Sequence, residues 1–249
     1  MAATIPVLDV VGDTFARVFK NLPKIFIIGI IPIAIYFAVV VVGSLLAVLT
    51  KVFILGVLFE LIAYFTMAPF ALAWIRFVLQ GDAKFALAFG PREQQFFAYY
   101  ALLMVPVFLL LLIGLAMSSL GFASIIISFV LILGIVALYT MLQLVFPAAA
   151  LGEPTGLEKV WKESIPVYAP MLGVNMITVG IIGVPMLIIL YVLYLLTTSL
   201  AINLGTGGLI VAVFLANLIF TPLMFIAMAL LATAVALVYR RVVPGSAVV

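Results

Sequence analysis

Long uncharged stretches, broken by a few short clusters of charge, set the pattern of this chain. Between Lys24 and Lys51 lie 26 uncharged residues, between Glu93 and Glu153 lie 59, and between Glu163 and Arg240 lie 76. About 20 apolar helical residues cross the hydrocarbon core of a bilayer, so the first run predicts one span and each longer run two. Another span fits between Lys51 and Gln80, with Glu60 inside it. The predicted spans fall at roughly 25–48, 52–79, 96–117, 122–150, 171–195 and 210–238. Ser118–Gly121 supplies the turn in the second run, and the polar, glycine-rich stretch 197–208 supplies the connector in the third. The expected fold class is therefore all-α, a polytopic six-helix transmembrane bundle forming one domain.

Three charged segments break this rhythm, at about 10–24, 80–95 and 154–166. In the first, Val11, Phe15, Val18, Phe19 and Leu22 recur at helical spacing, while Asp13, Arg17, Lys20 and Lys24 fall mostly on the other side. Such a segment suits the interface plane, and the alternative is a wetted turn leading into the first span. Prolines repeat in step with the segments. Pro32, Pro106 and Pro185 interrupt the odd spans, and Pro69, Pro147 and Pro222 the even ones. Three copies of a helical hairpin, each led by an interfacial amphipathic helix, would produce this pattern. Aligning Gly81-Asp82 with Gly152-Glu153 requires a different shift from aligning Pro69 with Pro147, so coincidental prolines in ordinary hairpins remain an alternative.

Composition explains why lipid must be the solvent. Of 249 residues, 69% are hydrophobic and 8% charged, and the mean hydropathy is +1.53. A soluble domain carries about 25% charged residues, so this chain lacks the polar material to wet a globule. Orientation follows from the basic residues. In the six-span arrangement Arg17, Lys20, Lys24, Arg76, Lys84, Arg92, Lys159, Lys162, Arg240 and Arg241 share one side, and Lys51 alone lies opposite. Both termini are expected in the cytoplasm. The first apolar run starts too far from Met1, and is too long, to read as a cleaved signal peptide.

The chain has no Cys and no His, which excludes disulfides, thiol chemistry and the usual zinc sites. No catalytic constellation, metal site or cofactor is expected. Glu60 is the one acid inside a predicted span, nine residues and about 13 Å from Lys51 and on the opposite side of the helix. An ionised carboxylate at that depth costs several kcal/mol, so Glu60 is either a proton or cation site or a structural residue that is neutral, hydrogen-bonded or turned outward. Gln143, Asn175 and Asn217 are the intramembrane amides, able to join helices or to line a polar path. Thr66, Ser124, Ser128, Thr140, Thr178 and Thr221 can bond their own helix backbone and so add little. On the charged side Trp74, Arg76, Lys84, Arg92, Lys159, Trp161 and Lys162 are candidates for lipid headgroups. Basic residues interleaved with Asp and Glu do not favour nucleic acid as a partner.

Residues 68–72 leading to 76–82, and residues 146–153 leading to Trp161, resemble the repeated blocks of poorly characterised six-span bacterial inner-membrane proteins. These include proteins similar to the membrane region fused to some glycerophosphodiester phosphodiesterases. The resemblance implies a helical protein of the bacterial inner membrane tied to lipids, and no catalytic residues carry over. The expected function is a non-enzymatic component that scaffolds partners or organises lipid, its partners being membrane lipids and other membrane proteins. The alternative is a small channel or transporter for ions, lipid or small solutes. A catalytic lipid enzyme is a third class, for which Asp82 and Glu153 are the only acids the repeat would bring together.

Overall fold

The computed structural model describes residues 5–81, 90–116, 122–153 and 156–243. Within these the chain is all-α. Helix α1 spans Val7–Lys20, α2 Leu22–Thr50, α3 Phe53–Gln80, α4 Pro91–Ala116, α5 Phe122–Leu142, α6 Val145–Leu151, α7 Leu157–Ser164 and α8 Tyr168–Val242, with a 3-10 turn over Ile165–Val167 before α8. Among the described residues five helical stretches are long and apolar enough to cross a membrane: Leu22–Thr50, Ile54–Gln80, Val130–Leu151, Leu157–Leu200 and Ile202–Val242. With so little charge to wet it, the chain is a multi-pass membrane protein. The turn expected at Ser118–Gly121, the residues 82–89 that include Asp82 and Lys84, and the first four and last six residues lie outside the described residues.

Helix α8 is a hairpin rather than a rod. A straight helix of 75 residues would measure about 112 Å. Yet both of its ends meet α1, which is only about 21 Å long. Val7 lies against Gly173, and Asp13 pairs with Arg241 at 3.4 Å. The chain turns back at Gly205, whose φ of 59° and ψ of −143° only glycine adopts readily. Beside the turn, Gly208 packs on the Leu200 carbonyl with no room for a Cβ.

The connector expected over 197–208 is therefore helical apart from that one residue. Its polar side chains bond back to their own helix: Thr197 and Thr198 donate to the Tyr194 carbonyl at 2.8 and 2.9 Å, and the Asn203 amide donates to the Ser199 carbonyl at 2.8 Å. Self-satisfied polar groups at a helix end mimic the composition of a loop.

Pro147 explains the split between α5 and α6. Having no N–H, it cannot bond the Gln143 carbonyl four residues back. Phe146 N–H takes that carbonyl instead at 3.2 Å, tightening one turn. Helix α6 then ends in a Schellman motif, in which Gly152 N–H donates to Ala149 and Glu153 N–H to Ala148, both at 3.0 Å, with Gly152 at φ +74°. This cap sets where Glu153 points.

The core is strongly polarised along the helices. Inner positions belong to the ends of α3, α6 and the second arm of α8, residues 206–242, where Ala68, Ala71, Ala73, Ala148, Ala149, Ala150, Ala229, Ala232, Ala234 and Ala236 are all buried. Small side chains let helix backbones approach closely without a hydrophobic drive from water. Helix α1 buries Val10, Val11, Thr14 and Val18 and packs chiefly on α8. Its apolar face thus rests on protein, with Phe19 left outside. By contrast, in the first arm of α8 only Leu193 is buried among the described residues from 179 to 204.

Candidate functional site

Two polar assemblies stand out, one at the charged end of the bundle and one inside it. At the charged end, four helix termini converge. The Arg76 guanidinium, from the last turns of α3, pairs with Glu93 at the start of α4 at 2.8 Å and donates to the Ala150 carbonyl of α6 at 2.9 Å. Both side chains are mostly buried. Burial raises the Glu93 carboxyl, but the hydrogen bond and charge of Arg76 outweigh it and hold the group below its ordinary value. Tyr239, near the end of α8, donates its hydroxyl to Glu153 Oε2 at 2.6 Å. The Arg92 side chain lies against Gly152 so closely that a Cβ there would collide with it.

One layer deeper, Trp74 Nε1 donates to Thr233 Oγ1 at 2.8 Å, and Thr233 donates in turn to the Ala229 carbonyl at 2.7 Å. Trp74 is fully buried between Phe70 and Phe77. The Lys24 ammonium sits 4.2 Å from the centre of the Phe77 ring, tying the start of α2 to the end of α3.

These contacts change the reading of the headgroup candidates. Trp74 has no surface left for lipid, because its indole N–H found a partner inside the protein. Arg76 is committed to Glu93 and Ala150. Lys84 lies outside the described residues. Arg92, Lys159, Trp161 and Lys162 remain exposed. Helix α7 buries Val160 and Ser164 while presenting Lys159, Trp161 and Lys162. Its charges pair along the helix, Lys162 with Glu158 at 2.7 Å and Lys159 with Glu163 at 3.8 Å. Exposed pairs of this kind are worth little, so both ammonium groups can exchange partners.

The second assembly joins the first arm of α8, residues 168–204, to the end of α5. Asn175 Nδ2 donates to Thr140 Oγ1 and to Gln143 Oε1, each at 3.0 Å, and Thr140 donates to the Val136 carbonyl at 2.8 Å. All three side chains are buried. Thr140 is thus more than a residue satisfied by its own helix. Thr66 does bond its own helix, donating to Ala63 at 2.7 Å, whereas the Thr178 and Thr221 hydroxyls are buried without a partner among the described residues. The side chains of Ser124 and Ser128 lie outside the described set.

Asn217 takes no part in this cluster and donates to the Val213 carbonyl of its own helix at 2.9 Å. Glu60 is exposed on α3 and forms no hydrogen bond or ion pair among the described residues. Gln143 and Asn175 are therefore brought together, and Asn217 and Glu60 are not joined to them. Two open concavities lie elsewhere, one beside the Gly205 turn at Thr197, Thr198, Ile202 and Leu209, the other along Glu158, Lys159, Lys162 and Glu163. No group of three or more acids able to hold a metal occurs among the described residues.

Sequence reasoning missed Tyr239, Thr233 and Glu93, and gave Thr140 the bond to its own helix without the one it accepts from Asn175. The available signal was the run of alanines in the even spans, which marks close-packed inner faces. Comparison with protein-family models, with curated proteins and with solved structures finds no match to this chain.

Proposed function

We propose that this chain is a non-enzymatic membrane scaffold whose charged face gathers anionic lipid and holds partner proteins at the cytoplasmic side of a bacterial inner membrane. The observation that carries the reading is the separation of the intramembrane polar groups. Gln143, Asn175 and Thr140 satisfy one another, Asn217 is satisfied by its own backbone, and Glu60 lies apart. A path for solute needs such groups to line one continuous passage; hydrogen-bonded amides between two helices serve packing.

The architecture proposed is six spans in three hairpins. Helix α4, with 26 residues, supplies the sixth span at about 39 Å. Contacts support a cyclic arrangement, since α7 packs on α5 of the preceding hairpin and α1 packs on α8, the hairpin that would precede it in a closed ring. The even spans meet one another through Trp74–Thr233, Arg76–Ala150 and Tyr239–Glu153. The surplus of basic residues at this end supports its assignment to the cytoplasm.

Exposed Lys159, Lys162, Arg92 and Trp161 are the residues assigned to lipid headgroups. Each basic group near an anionic surface contributes about 1 kcal/mol. The test is native mass spectrometry of the purified chain after exchange into vesicles of phosphatidylglycerol and phosphatidylcholine. Preferential retention of phosphatidylglycerol, lost in a Lys159→Ala, Lys162→Ala double variant, supports the assignment. Equal retention of both lipids by the unaltered chain would remove it.

A further inference from the structure

Glu60 sits in a setting that the scaffold does not use. Sixteen residues separate it from Arg76, so its Cα lies about 24 Å along α3 from the charged face, within about 6 Å of the far edge of a 30 Å hydrocarbon core. Tyr64 follows on the same face of the helix, one turn deeper. Tyr36 comes from α2 at the depth of Tyr64, each being twelve residues or about 18 Å from Lys24 and Arg76 respectively. Their rings meet edge to face at 6.2 Å.

Two features of this group ask for a ligand. Tyr36 is 2% exposed, its ring held edge-on by Tyr64 and Phe225, yet its hydroxyl has no hydrogen-bond partner among the described residues. Among the described residues Glu60 forms no ion pair. Lys51, the one basic residue placed at the far end, is the left-handed cap that ends α2, outside α3, and forms no ion pair with Glu60. A carboxylate at this depth is stable only when neutral, paired or wetted. An acid one helical turn from Tyr64, whose ring meets that of Tyr36, has the chemistry to receive a primary ammonium. The carboxylate and the Tyr36 oxygen accept its N–H groups, and the rings favour its charge.

We infer that Glu60, Tyr36 and Tyr64 form a site for a primary ammonium group at the membrane edge opposite the charged face, the aminophospholipid headgroup and a free amine being its two possible sources. The inference rests on the multi-pass arrangement and on the depth of Glu60, and not on what the charged face binds. A quaternary ammonium cannot donate to Tyr36, so the site distinguishes ethanolamine from choline headgroups.

The full chain is reconstituted in vesicles of equal phosphatidylethanolamine, phosphatidylcholine and phosphatidylglycerol, and the lipids it retains are read by native mass spectrometry. The expected result is phosphatidylethanolamine retained over phosphatidylcholine, with that preference reduced about tenfold in Glu60→Gln and less in Tyr36→Phe. Displacement by excess ethanolamine identifies the amine alone as sufficient, and resistance to it identifies the lipid. An undiminished preference in Glu60→Gln, or no preference in the unaltered chain, overturns the site. Helicity and gel-filtration profile check that Glu60→Gln folds, and Tyr36→Phe decides the matter if it does not. Labelling a Val52→Cys variant with a membrane-impermeant thiol reagent reads the membrane arrangement separately, so a failed topology is not mistaken for a failed site.

Discussion

The two ends of the bundle are built on different principles. At the charged end α3, α4, α6 and the second arm of α8 close on one another through buried alanines, aromatic rings and hydrogen bonds that leave Arg76, Trp74, Glu153 and Tyr239 with protein partners. Toward Gly205 the helices carry apolar side chains to the outside, among them Val184, Leu187, Ile188, Tyr191 and Tyr194, each at least 60% exposed. In water this second region would be unstable. In lipid it costs nothing, because acyl chains solvate leucine as well as a neighbouring helix does. Specificity of assembly therefore resides where polar groups must find partners, and the rest of each helix needs only to be long and apolar.

The strongest challenge to that contrast is Arg76→Ala. It strands the Glu93 carboxylate in a mostly buried position and frees the Ala150 carbonyl, an expected loss of about 3 kcal/mol read by thermal unfolding in lipid nanodiscs. The same pair responds to acid. The Glu93 carboxyl titrates lower in the folded protein than in the unfolded chain, so its stabilisation is complete above the unfolded value near 4.5 and fades as pH falls through the folded value. Glu93→Gln should therefore remove an acid-sensitive component of stability without altering the response at neutral pH and above.

A smaller effect is expected inside the far region. Gly43 of α2 approaches Phe59 of α3 so closely that a Cβ would overlap the phenylalanine. Gly43→Ala should cost about 2 kcal/mol by parting the helices, which would mark one point of tight packing outside the charged end. Trp74→Phe, which deletes the bond to Thr233 and the pyrrole ring with it and leaves a small cavity at a buried site, should cost about 2 kcal/mol. Asn175→Leu removes two bonds to Thr140 and Gln143 and should cost about 1 kcal/mol or slightly less, in line with interhelical amides in other membrane proteins. At the bottom of the range, Leu187→Ala and Ile188→Ala should shift stability by less than about 0.5 kcal/mol. A large loss at either position would show that the outer arm of α8 is packed against something more specific than lipid.

How much of this could be read from residues alone follows from the same contrast. Helical apolar runs were legible because hydropathy over about 20 residues is a strong signal. The proline at 147 was legible as a disturbance, though not the Gln143–Phe146 tightening that relieves it. Residues 197–208 were legible as the place where the last two spans turn back, at Gly205. They were not legible as helix on either side of it, because threonine and asparagine bonded to their own helix have the composition of a loop. Trp74 was misjudged because tryptophan near an arginine suggests an interface, whereas Thr233, 159 residues away, supplies its partner. Pairings such as Arg76 with Glu93 and Tyr239 with Glu153 depend on which helix termini converge, and no local pattern encodes that. Gln143 and Asn175 were visible as a choice between packing and a path, and their mutual hydrogen bond favours packing.

Solute flux through the reconstituted full chain tests the central claim most directly. Proteoliposomes loaded with a pH-sensitive dye and given potassium and proton gradients should relax no faster than protein-free liposomes, with Gln143→Leu and Asn175→Leu indistinguishable from the unaltered chain. Flux well above the protein-free rate, abolished by either substitution, would contradict the account by showing that the buried amides line a path.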